Sequence, residues 1–552
     1  MTVRALADEL HTRLLDASPL FGSSLGLRQY DPLVPDASAE GERLLAADVV
    51  ALLARLRTVE PATLSAADAV TLACAVETAE ATLAELAAAT VEHVVTPLPF
   101  AGPAVLLAVL ARTVLPDAKA AEDFLTRLRG SGEYVRQLTD RLVEGAERGR
   151  FPVESLALQA ISWVDALLEA EHISALHAPA PPEELAADWG RRVGQLEQTV
   201  LRPALVHWRD TVRDRLVPAA RSDDHAGLLH LPGGAADYER LIRVHTTLPL
   251  TAEELHQRGL AAIERLTAQL VELGAGLGLA DLPAVLAAVR EAAAAVSVAD
   301  AFAGAEAAVR RAEGSLAGVF AEPLPPECRV APMPDVVGEA GTPPHYTPPT
   351  LDGTRPGTYW FNTARPTAGT GWDTEAVAFH EAVPGHHLQL CRQQQVAGLP
   401  PIQSQWVVTA HAEGWGLYSE RLAGEMGLYS DDRQRIGAIT AEMFRAARLV
   451  IDTGLHAFGW SRARAVQYFT DHVAMSEAFL AAEVDRYLAM PGQALAYLTG
   501  QAEILRLRDE ARAKAGDRFD LAGFHAAVLD SGSVPLPVLA VAVDRYVAGL
   551  TA

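Results

Sequence analysis

The stretch AVAFHEAVPGHHLQ at residues 376–389 carries the strongest signal in this chain of 552 residues. It begins like a helix of the HExxH type, in which two histidines four residues apart bind zinc and the glutamate activates water. Here Pro384 stands where the second histidine would be, so that motif is not met. The next histidines lie six and seven residues after His380. The stretch therefore predicts a metal-binding helix that is interrupted before its second ligand.

The Pro-Gly step at residues 384–385 predicts a break that brings the ligands together. In a regular helix, residues seven apart are separated by a rise of about 10 Å, too far for two ligands of one zinc ion. Proline removes a backbone hydrogen bond and glycine accepts unusual dihedral angles, so a kink can bring a later histidine towards His380. His386 is favoured by analogy with an x-Gly-His turn, whereas His387 lies on the same helical face as His380. Both remain candidate ligands.

A second motif supplies a candidate third ligand. A catalytic zinc site of this type takes two histidines and a glutamate and leaves one position open for water. The run HAEGWGLYSE at residues 411–420 offers Glu413. Its flanking glycines allow the backbone to approach the preceding helix, and Trp415 could form a wall of the substrate site. Glu420 lies seven residues on, nearly on the same helical face.

Glu381 is the predicted general base, because it directly follows a ligand. It would take a proton from water and pass it to the leaving amine, which predicts a zinc metallopeptidase that cuts short peptides. One catalytic zinc ion is the predicted cofactor, although histidine and carboxylate ligands also suit manganese and cobalt. The alternatives are a metal-dependent hydrolase of a non-peptide amide or ester, and a non-catalytic peptide-binding helical protein. A base beside a ligand has no use in a purely structural site.

The composition favours helices and excludes one class of partner. Hydrophobic residues make up 50% of the chain and aromatic residues only 6%, so Ala, Leu and Val carry the apolar content, and Ala and Leu lose little on entering a helix. The net charge of −24 repels phosphate backbones, which argues against nucleic-acid binding.

Three widely separated cysteines and an N-terminal region without an apolar segment predict a cytoplasmic protein. The uncharged residues 94–111 are long enough for a membrane span. Their three prolines instead predict a buried loop that enters a core helix, so no membrane partner is expected.

Amphipathic helices are predicted along residues 1 to about 320, for example over residues 48–57 and after a capping box at Thr251 and Glu254. Ten prolines between residues 322 and 356 predict irregular structure, and a short strand is predicted directly after them. Helices then continue to the end. The predicted units are an N-terminal helical lobe, residues 1–235, and a catalytic lobe, residues 236–552, intertwined in one fold.

HEAVPGHHLQ at residues 380–389 and EGWGLYSE at residues 413–420 resemble the bacterial family known as domain of unknown function 885. The likeness extends over residues 351–536, including DGTRPGTYWFNT before the metal motif and EVDRYLAMPGQALAYLTGQ after it. That family is similar to the helical gluzincin peptidases, which include oligopeptidases and angiotensin-converting-enzyme-like carboxypeptidases. The resemblance implies a mainly α, two-lobed gluzincin-like fold with a deep central channel, zinc at its floor and a small β element near the metal helix.

Related gluzincins use a tyrosine or histidine downstream of the metal helix to stabilise the oxyanion of the intermediate. Tyr497 is the favoured donor here and Tyr487 the next, with a buried structural role as the alternative for both. Arg486 could bind a peptide carboxylate or form an internal ion pair.

Two further features are candidates for substrate binding. Asp452 and His456 are four residues apart, so the carboxylate could orient an imidazole that donates to substrate or simply packs in the core. The strand-like residues from Tyr359 to Asn362 could pair with an extended peptide, or form the edge of a local hairpin.

Overall fold

The computed structural model describes residues 2–333, 338, 342–364 and 371–551, and this part of the chain is mainly helical with one small sheet. The helices before the sheet, numbered α1 to α14, are Val3–Ala17, Pro19–Ser24, Ala39–Arg57, Ala66–Ala88, Gly102–Ala111, Ala118–Glu147, Glu154–Glu169, Ser174–His177, Ala186–Leu196, Arg202–Thr211, Gly234–Thr246, Ala252–Ala275, Leu282–Ala295 and Val298–Glu313. Those after it, α15 to α24, are Thr374–Glu381, His386–Gln395, Pro401–Ser404, Thr409–Glu425, Asp432–His456, Arg462–His472, Glu477–Ala489, Ala496–Ala515, Leu521–Leu529 and Leu536–Thr551.

The helices follow the local signals in the sequence. Within α3, the four apolar residues at helical spacing in residues 48–57 are all buried, as their spacing predicts: Val49, Leu52, Leu53 and Leu56. Helix α12 begins with the predicted capping box, in which the Thr251 hydroxyl accepts from the Glu254 N–H and the Glu254 carboxylate accepts from the Thr251 N–H. Both predictions are confirmed.

The sheet has the order β1-β3-β2, with β1 at Arg329–Pro332, β2 at His345–Thr347 and β3 at Thr358–Phe361. Strand β3 pairs with β1 in parallel and with β2 antiparallel. The predicted strand after the proline-rich segment is confirmed. The prediction that the segment itself is irregular holds for most of its described residues but is wrong for β1 and β2. Both of its strands are edge strands with prolines at or beyond their ends, where a missing N–H interrupts no ladder.

The cores cross the predicted boundary at residue 235. One hydrophobic cluster is built only from residues 20–217, whereas another joins Val70 and Cys74 of α4 to residues 301–547. Helix α12 packs along α19, and α18 packs along α22. One core thus contains residues from both predicted lobes, and it does not divide at residue 235. The two lobes and the deep channel stay predictions.

In the described part of the chain, no single helix is long and apolar enough to cross a membrane. The bent pair Leu282–Ala295 and Val298–Glu313 reaches the required length and composition only when both helices are joined across a bend of 106°. Residues 94–111 form a loop and the ten-residue helix α5, in which Leu106, Leu107 and Leu110 are buried. The predicted entry into a core helix is confirmed, but the loop is not buried throughout, since Phe100 is 49% exposed.

Candidate metal centre

The predicted helix break lies between α15, which ends at Glu381, and α16, which begins at His386. The chain turns sharply at Gly385, where a Cβ atom would lie 1.9 Å from the His380 carbonyl oxygen. Trp415 fixes this turn from α18, since its indole N–H donates to the Pro384 carbonyl at 2.9 Å. Only glycine fits at residue 385, and the turn folds the start of α16 back towards the end of α15.

The turn places two histidines and one glutamate together. The Nε2 atoms of His380 and His386 each lie 3.5 Å from the same oxygen, Oε2 of Glu413. The two imidazole rings are nearly perpendicular, with centroids 4.7 Å apart. One potential ligand atom from each residue lies within 4.8 Å of the others, so the three residues could hold a metal ion. The His386 and Glu413 side chains keep 13% and 21% of their exposure, so the cluster is open to solvent on one side.

Small residues let α18 carry Glu413 to this position. A Cβ on Gly416 would lie 2.6 Å from Cε1 of the His380 ring, so the ring packs directly on the helix backbone. On the opposite contact, a Cβ on Gly500 would lie 1.9 Å from the Ala410 carbonyl oxygen. Gly416 in the second motif and Gly500 in α22 therefore set how closely α15, α18 and α22 approach one another.

Glu420 orients the first histidine from behind. Its carboxylate Oε1 lies 2.8 Å from His380 Nδ1 and 3.2 Å from Arg445 Nη2, and the side chain is 4% exposed. A carboxylate on Nδ1 leaves Nε2 as the atom that faces Glu413 and raises the basicity of the ring. In the sequence, Glu420 stands out only by its helical spacing from Glu413. Nothing in the sequence indicates that its partner is the His380 imidazole in another helix.

Replacing Glu420 by glutamine is expected to weaken zinc binding at the candidate centre by about 10- to 100-fold, because outer-shell partners of histidine ligands have effects of that size. Zinc titration in the presence of a competing chelator measures this. Glu425→Gln is the matched control, since Glu425 is a glutamate of the same helix that pairs with Arg508. Equal zinc affinity in the Glu420→Gln variant and the wild-type protein would contradict the orienting role.

The predicted base, Glu381, faces the same cluster. Its Oε2 accepts a hydrogen bond from the Tyr346 N–H at 2.8 Å. Burial raises the pKa of Glu381 above its ordinary value, although the nearby His380 and His386 rings act in the opposite direction. The raised pKa suits a carboxylate that must accept and return a proton near neutral pH.

The residues of the cluster also shift one another's pKa values. Burial would raise the pKa of Glu413, but hydrogen bonds from His380 and His386 hold it well below its ordinary value. Burial likewise opposes the charged form of His380, yet the hydrogen bonds to Glu413 and Glu420 raise its pKa to about 9. A cation bound at Nε2 would therefore replace a proton there.

His387, the alternative ligand, is not brought to the cluster. Its Nε2 lies 2.7 Å from the Pro326 carbonyl oxygen, and its Nδ1 lies 2.9 Å from the Tyr346 hydroxyl. Both ring nitrogens are thus hydrogen-bonded to the proline-rich segment. The helical-face argument placed His387 wrongly because α16 is a new helix with its own axis, not a continuation of α15.

Two predicted substrate contacts are also placed elsewhere. Trp415 is fully buried and holds the Pro384 turn, so it does not form a wall of an open site. Tyr359 is fully buried in β3, the central strand, whose two edges are already paired with β1 and β2. A peptide cannot add to that strand, and the alternative of a hairpin edge is wrong for the same reason.

The downstream candidates divide into two groups. The Tyr487 hydroxyl donates to Glu483 at 2.9 Å and accepts from Arg448 at 3.0 Å, and Arg486 forms a double hydrogen bond to the same Glu483. These residues form a buried ion-pair network, the internal role weighed for Arg486. Tyr497 differs because it lies nearer the cluster: burial and then the charge of Glu413 raise the pKa of its phenol, and its side-chain hydrogen bond is with Gln493. The Arg448 guanidinium stacks 4.2 Å from its ring.

His456 is a core histidine. Its Nδ1 accepts from the Leu228 N–H and its Nε2 lies 3.1 Å from the Tyr487 carbonyl oxygen, while burial lowers its pKa to about 3. Asp452 does not orient it, since that carboxylate instead accepts from the Tyr238 hydroxyl and the Gly492 N–H. The prediction that His456 donates to substrate is wrong, because both of its nitrogens are already bonded inside the fold.

Comparisons with known proteins give a family without a described activity. A family model described as "Bacterial protein of unknown function (DUF885)" matches residues 19–543. A solved structure described as "the putative lipoprotein from Colwellia psychrerythraea" is 25% identical with a TM-score of 0.90, and the match covers 99% of each chain. A "putative lipoprotein of unknown function from Shewanella oneidensis" is 16% identical with a TM-score of 0.73, over 98% of this chain and 99% of that one. No curated protein matches the chain.

Proposed function

The chain belongs to the DUF885 family of bacterial proteins of unknown function, and we propose that it is a zinc-dependent metallopeptidase that hydrolyses short peptides. One observation carries the proposal: Nε2 atoms from both sides of the Pro-Gly turn lie 3.5 Å from a single Glu413 oxygen, with the Glu381 carboxylate beside them. Relation to the gluzincin peptidases is part of the proposal.

The three side chains fit zinc by geometry and by chemistry. Zinc–ligand bonds of about 2.0–2.1 Å at tetrahedral angles separate two ligand atoms by roughly 3.3–3.4 Å. The separations of 3.5 Å from Glu413 to His380 and to His386 are close to that value. Two histidines, one glutamate and an open fourth position are the donor set of catalytic zinc sites in peptidases. When bound, zinc would act as a Lewis acid that polarises the scissile carbonyl and acidifies the attacking water.

Glu381 would serve as the proton carrier. The Tyr346 N–H donates to one of its oxygens. This hydrogen bond from the backbone holds the carboxylate in one orientation, so the direction of its other oxygen is also fixed. In this proposal Glu381 takes a proton from the attacking water and gives it to the leaving amine. Its raised pKa makes Glu381 a stronger base towards the attacking water than a carboxylate with an ordinary pKa would be.

Tyr497 is the proposed second donor to the oxyanion. Its side chain is partly exposed, and it lies near enough to Glu413 for that charge, after burial, to raise the pKa of its phenol. Tyr487 and Arg486 are not proposed for this role, because their polar atoms are already bonded to Glu483. Within the described part of the chain, Tyr497 has only the neutral Gln493 as a hydrogen-bond partner, which it could exchange for the oxyanion more easily than Tyr487 and Arg486 could leave a buried carboxylate.

Strand β2 is a better place for an extended substrate than the central strand. The Tyr346 N–H donates to Glu381 and not to β3, so the outer edge of β2 faces the catalytic base. A peptide that pairs with this edge would bring one of its amide bonds to Glu381. This arrangement favours peptides over compact amides or esters.

The cellular location is proposed separately from the chemistry. The sequence predicts a cytoplasmic protein, and two solved structures of similar fold are described as putative lipoproteins. Those descriptions favour the cell envelope as the alternative location for this chain.

Metal removal and a substrate panel test the function. Protein treated with a chelator should not cleave short peptides, and added zinc should restore cleavage. Cleavage of esters or non-peptide amides alone, with peptides left intact, would favour the alternative hydrolase. Zinc bound without cleavage of any substrate would favour a non-catalytic peptide-binding protein.

A further inference from the structure

A second group of metal-ligating side chains lies in the N-terminal half of the chain. His172 lies in the loop after α7, His177 ends α8, and Glu197 begins the π-helical turn Glu197–Leu201 between α9 and α10. One potential ligand atom from each lies within 4.8 Å of the others. The donors are again two imidazoles and one carboxylate, the set found at the candidate catalytic centre.

The separations suit a transition-metal ion. Oε2 of Glu197 lies 3.1 Å from His177 Nε2 and 3.9 Å from His172 Nδ1, and the two rings are 4.8 Å apart between centroids. These values lie on either side of the roughly 3.3–3.4 Å expected between zinc ligands at tetrahedral angles. Small rotations of exposed histidine rings would equalise them.

Glu197 is held in a fixed orientation. Its side chain is fully buried, and Oε1 accepts from the Arg202 guanidinium at 2.6 Å and from the Ile173 N–H at 3.1 Å. Arg202 also donates to the Leu168 and Ala170 carbonyl oxygens at the end of α7. One oxygen is thus occupied by the fold, and the other is directed at the two imidazoles. Such outer contacts are what orient the ligands of metal sites.

The histidines leave room for solvent. The His172 and His177 side chains are 54% and 25% exposed, whereas His380 at the candidate catalytic centre is 3% exposed. The only carboxylate within this group, that of Glu197, is itself one of the potential ligands. The neighbouring acid is Glu171, whose side chain is 93% exposed. An exposed acid next to a solvated ion lacks the partly buried and hydrogen-bonded position that Glu381 has for catalysis.

We propose that His172, His177 and Glu197 form a second site for a divalent transition-metal ion, zinc being the ion that the donors suit best. Water would complete its coordination. The ion would join the loop between α7 and α8 to the turn between α9 and α10, segments that also meet through Arg202 and through the hydrogen bond from the Ile173 N–H to Glu197. Its role would be to stabilise the fold and not to hydrolyse substrate.

Zinc titration of the full chain tests the proposal, with zinc alone as the probe. Wild-type protein should bind two equivalents. His177→Ala and His380→Ala should each bind one, with more than about a 100-fold loss of affinity at the altered site, because removing a ligand should exceed the 10- to 100-fold effect of an outer-shell change. The double variant should bind none. His207→Gln, which changes an exposed histidine of α10, is the matched control and should bind two.

The test separates the two proposed sites. If only the catalytic centre exists, wild-type protein binds one equivalent, and His177→Ala binds the same amount. If only the second site exists, His380→Ala changes nothing. Zinc should also raise the midpoint of thermal unfolding of His380→Ala but not of the double variant. Should His177→Ala fail to fold, His172→Gln replaces it, since that side chain is largely exposed; two equivalents in this variant would overturn the proposal.

Discussion

Replacement of Glu381 by glutamine is expected to lower the rate of peptide hydrolysis by about 10²- to 10⁴-fold, the usual contribution of a general base. Glutamine has the same shape, and its amide oxygen can still accept from the Tyr346 N–H. It cannot take up a proton at neutral pH, so the loss should appear in kcat with bound zinc unchanged. Initial rates at saturating zinc, together with the metal content of each variant, measure both quantities.

Glu442→Gln is the control for this variant. Glu442 pairs with Arg265 at 2.9 Å on another surface of the helix pair α12 and α19, so its loss should leave both rate and zinc content unchanged. A Glu381→Gln enzyme that cleaves peptides at the wild-type rate would remove Glu381 from the mechanism. A variant that loses its zinc would show instead that the carboxylate supports the metal.

His386→Ala and His387→Ala are expected to differ by more than tenfold in zinc affinity at the candidate centre. Loss of His386 removes a ligand and should weaken binding by more than about 100-fold, beyond the 10- to 100-fold effect of outer contacts. Loss of His387 removes no ligand, but it removes hydrogen bonds to the Pro326 carbonyl and the Tyr346 hydroxyl and a contact with the Cys391 thiol. It should cost about 1–3 kcal/mol of unfolding free energy, the cost of leaving buried polar groups unpaired, with little change in zinc affinity.

Zinc titration in a His177→Ala background isolates the candidate centre, and urea unfolding of the metal-free proteins measures stability. The two histidines are adjacent and of one residue type, so each variant serves as the control for the other. The opposite pattern, in which His387→Ala loses zinc and His386→Ala keeps it, would show that the ligand assignment is wrong.

The sequence by itself determined the features that depend on nearby residues. The apolar spacing of α3, the capping box of α12 and the strand β3 follow from periodicity and from side chains within four residues of the backbone groups that they satisfy. The Pro-Gly break is equally local, since proline and glycine limit their own dihedral angles. The candidate ligands could be named from the sequence because they lie beside that break or beside the glycines of the second motif.

Only the tertiary structure decided which atoms of these residues meet. The choice of His386 over His387 depends on the axis of α16, which Trp415 and the Gly385 turn set from another helix. The partnership of Glu420 with His380 joins residues 40 apart in sequence.

The hydrogen bonds that hold Tyr487 and Arg486 inside the fold likewise depend on Glu483 and Arg448. The central position of β3 depends on two strands within a proline-rich segment. The group of His172, His177 and Glu197 is formed by segments with no common motif. Such contacts are set by how helices pack, and packing depends on shape complementarity between distant segments, which no single stretch of sequence contains.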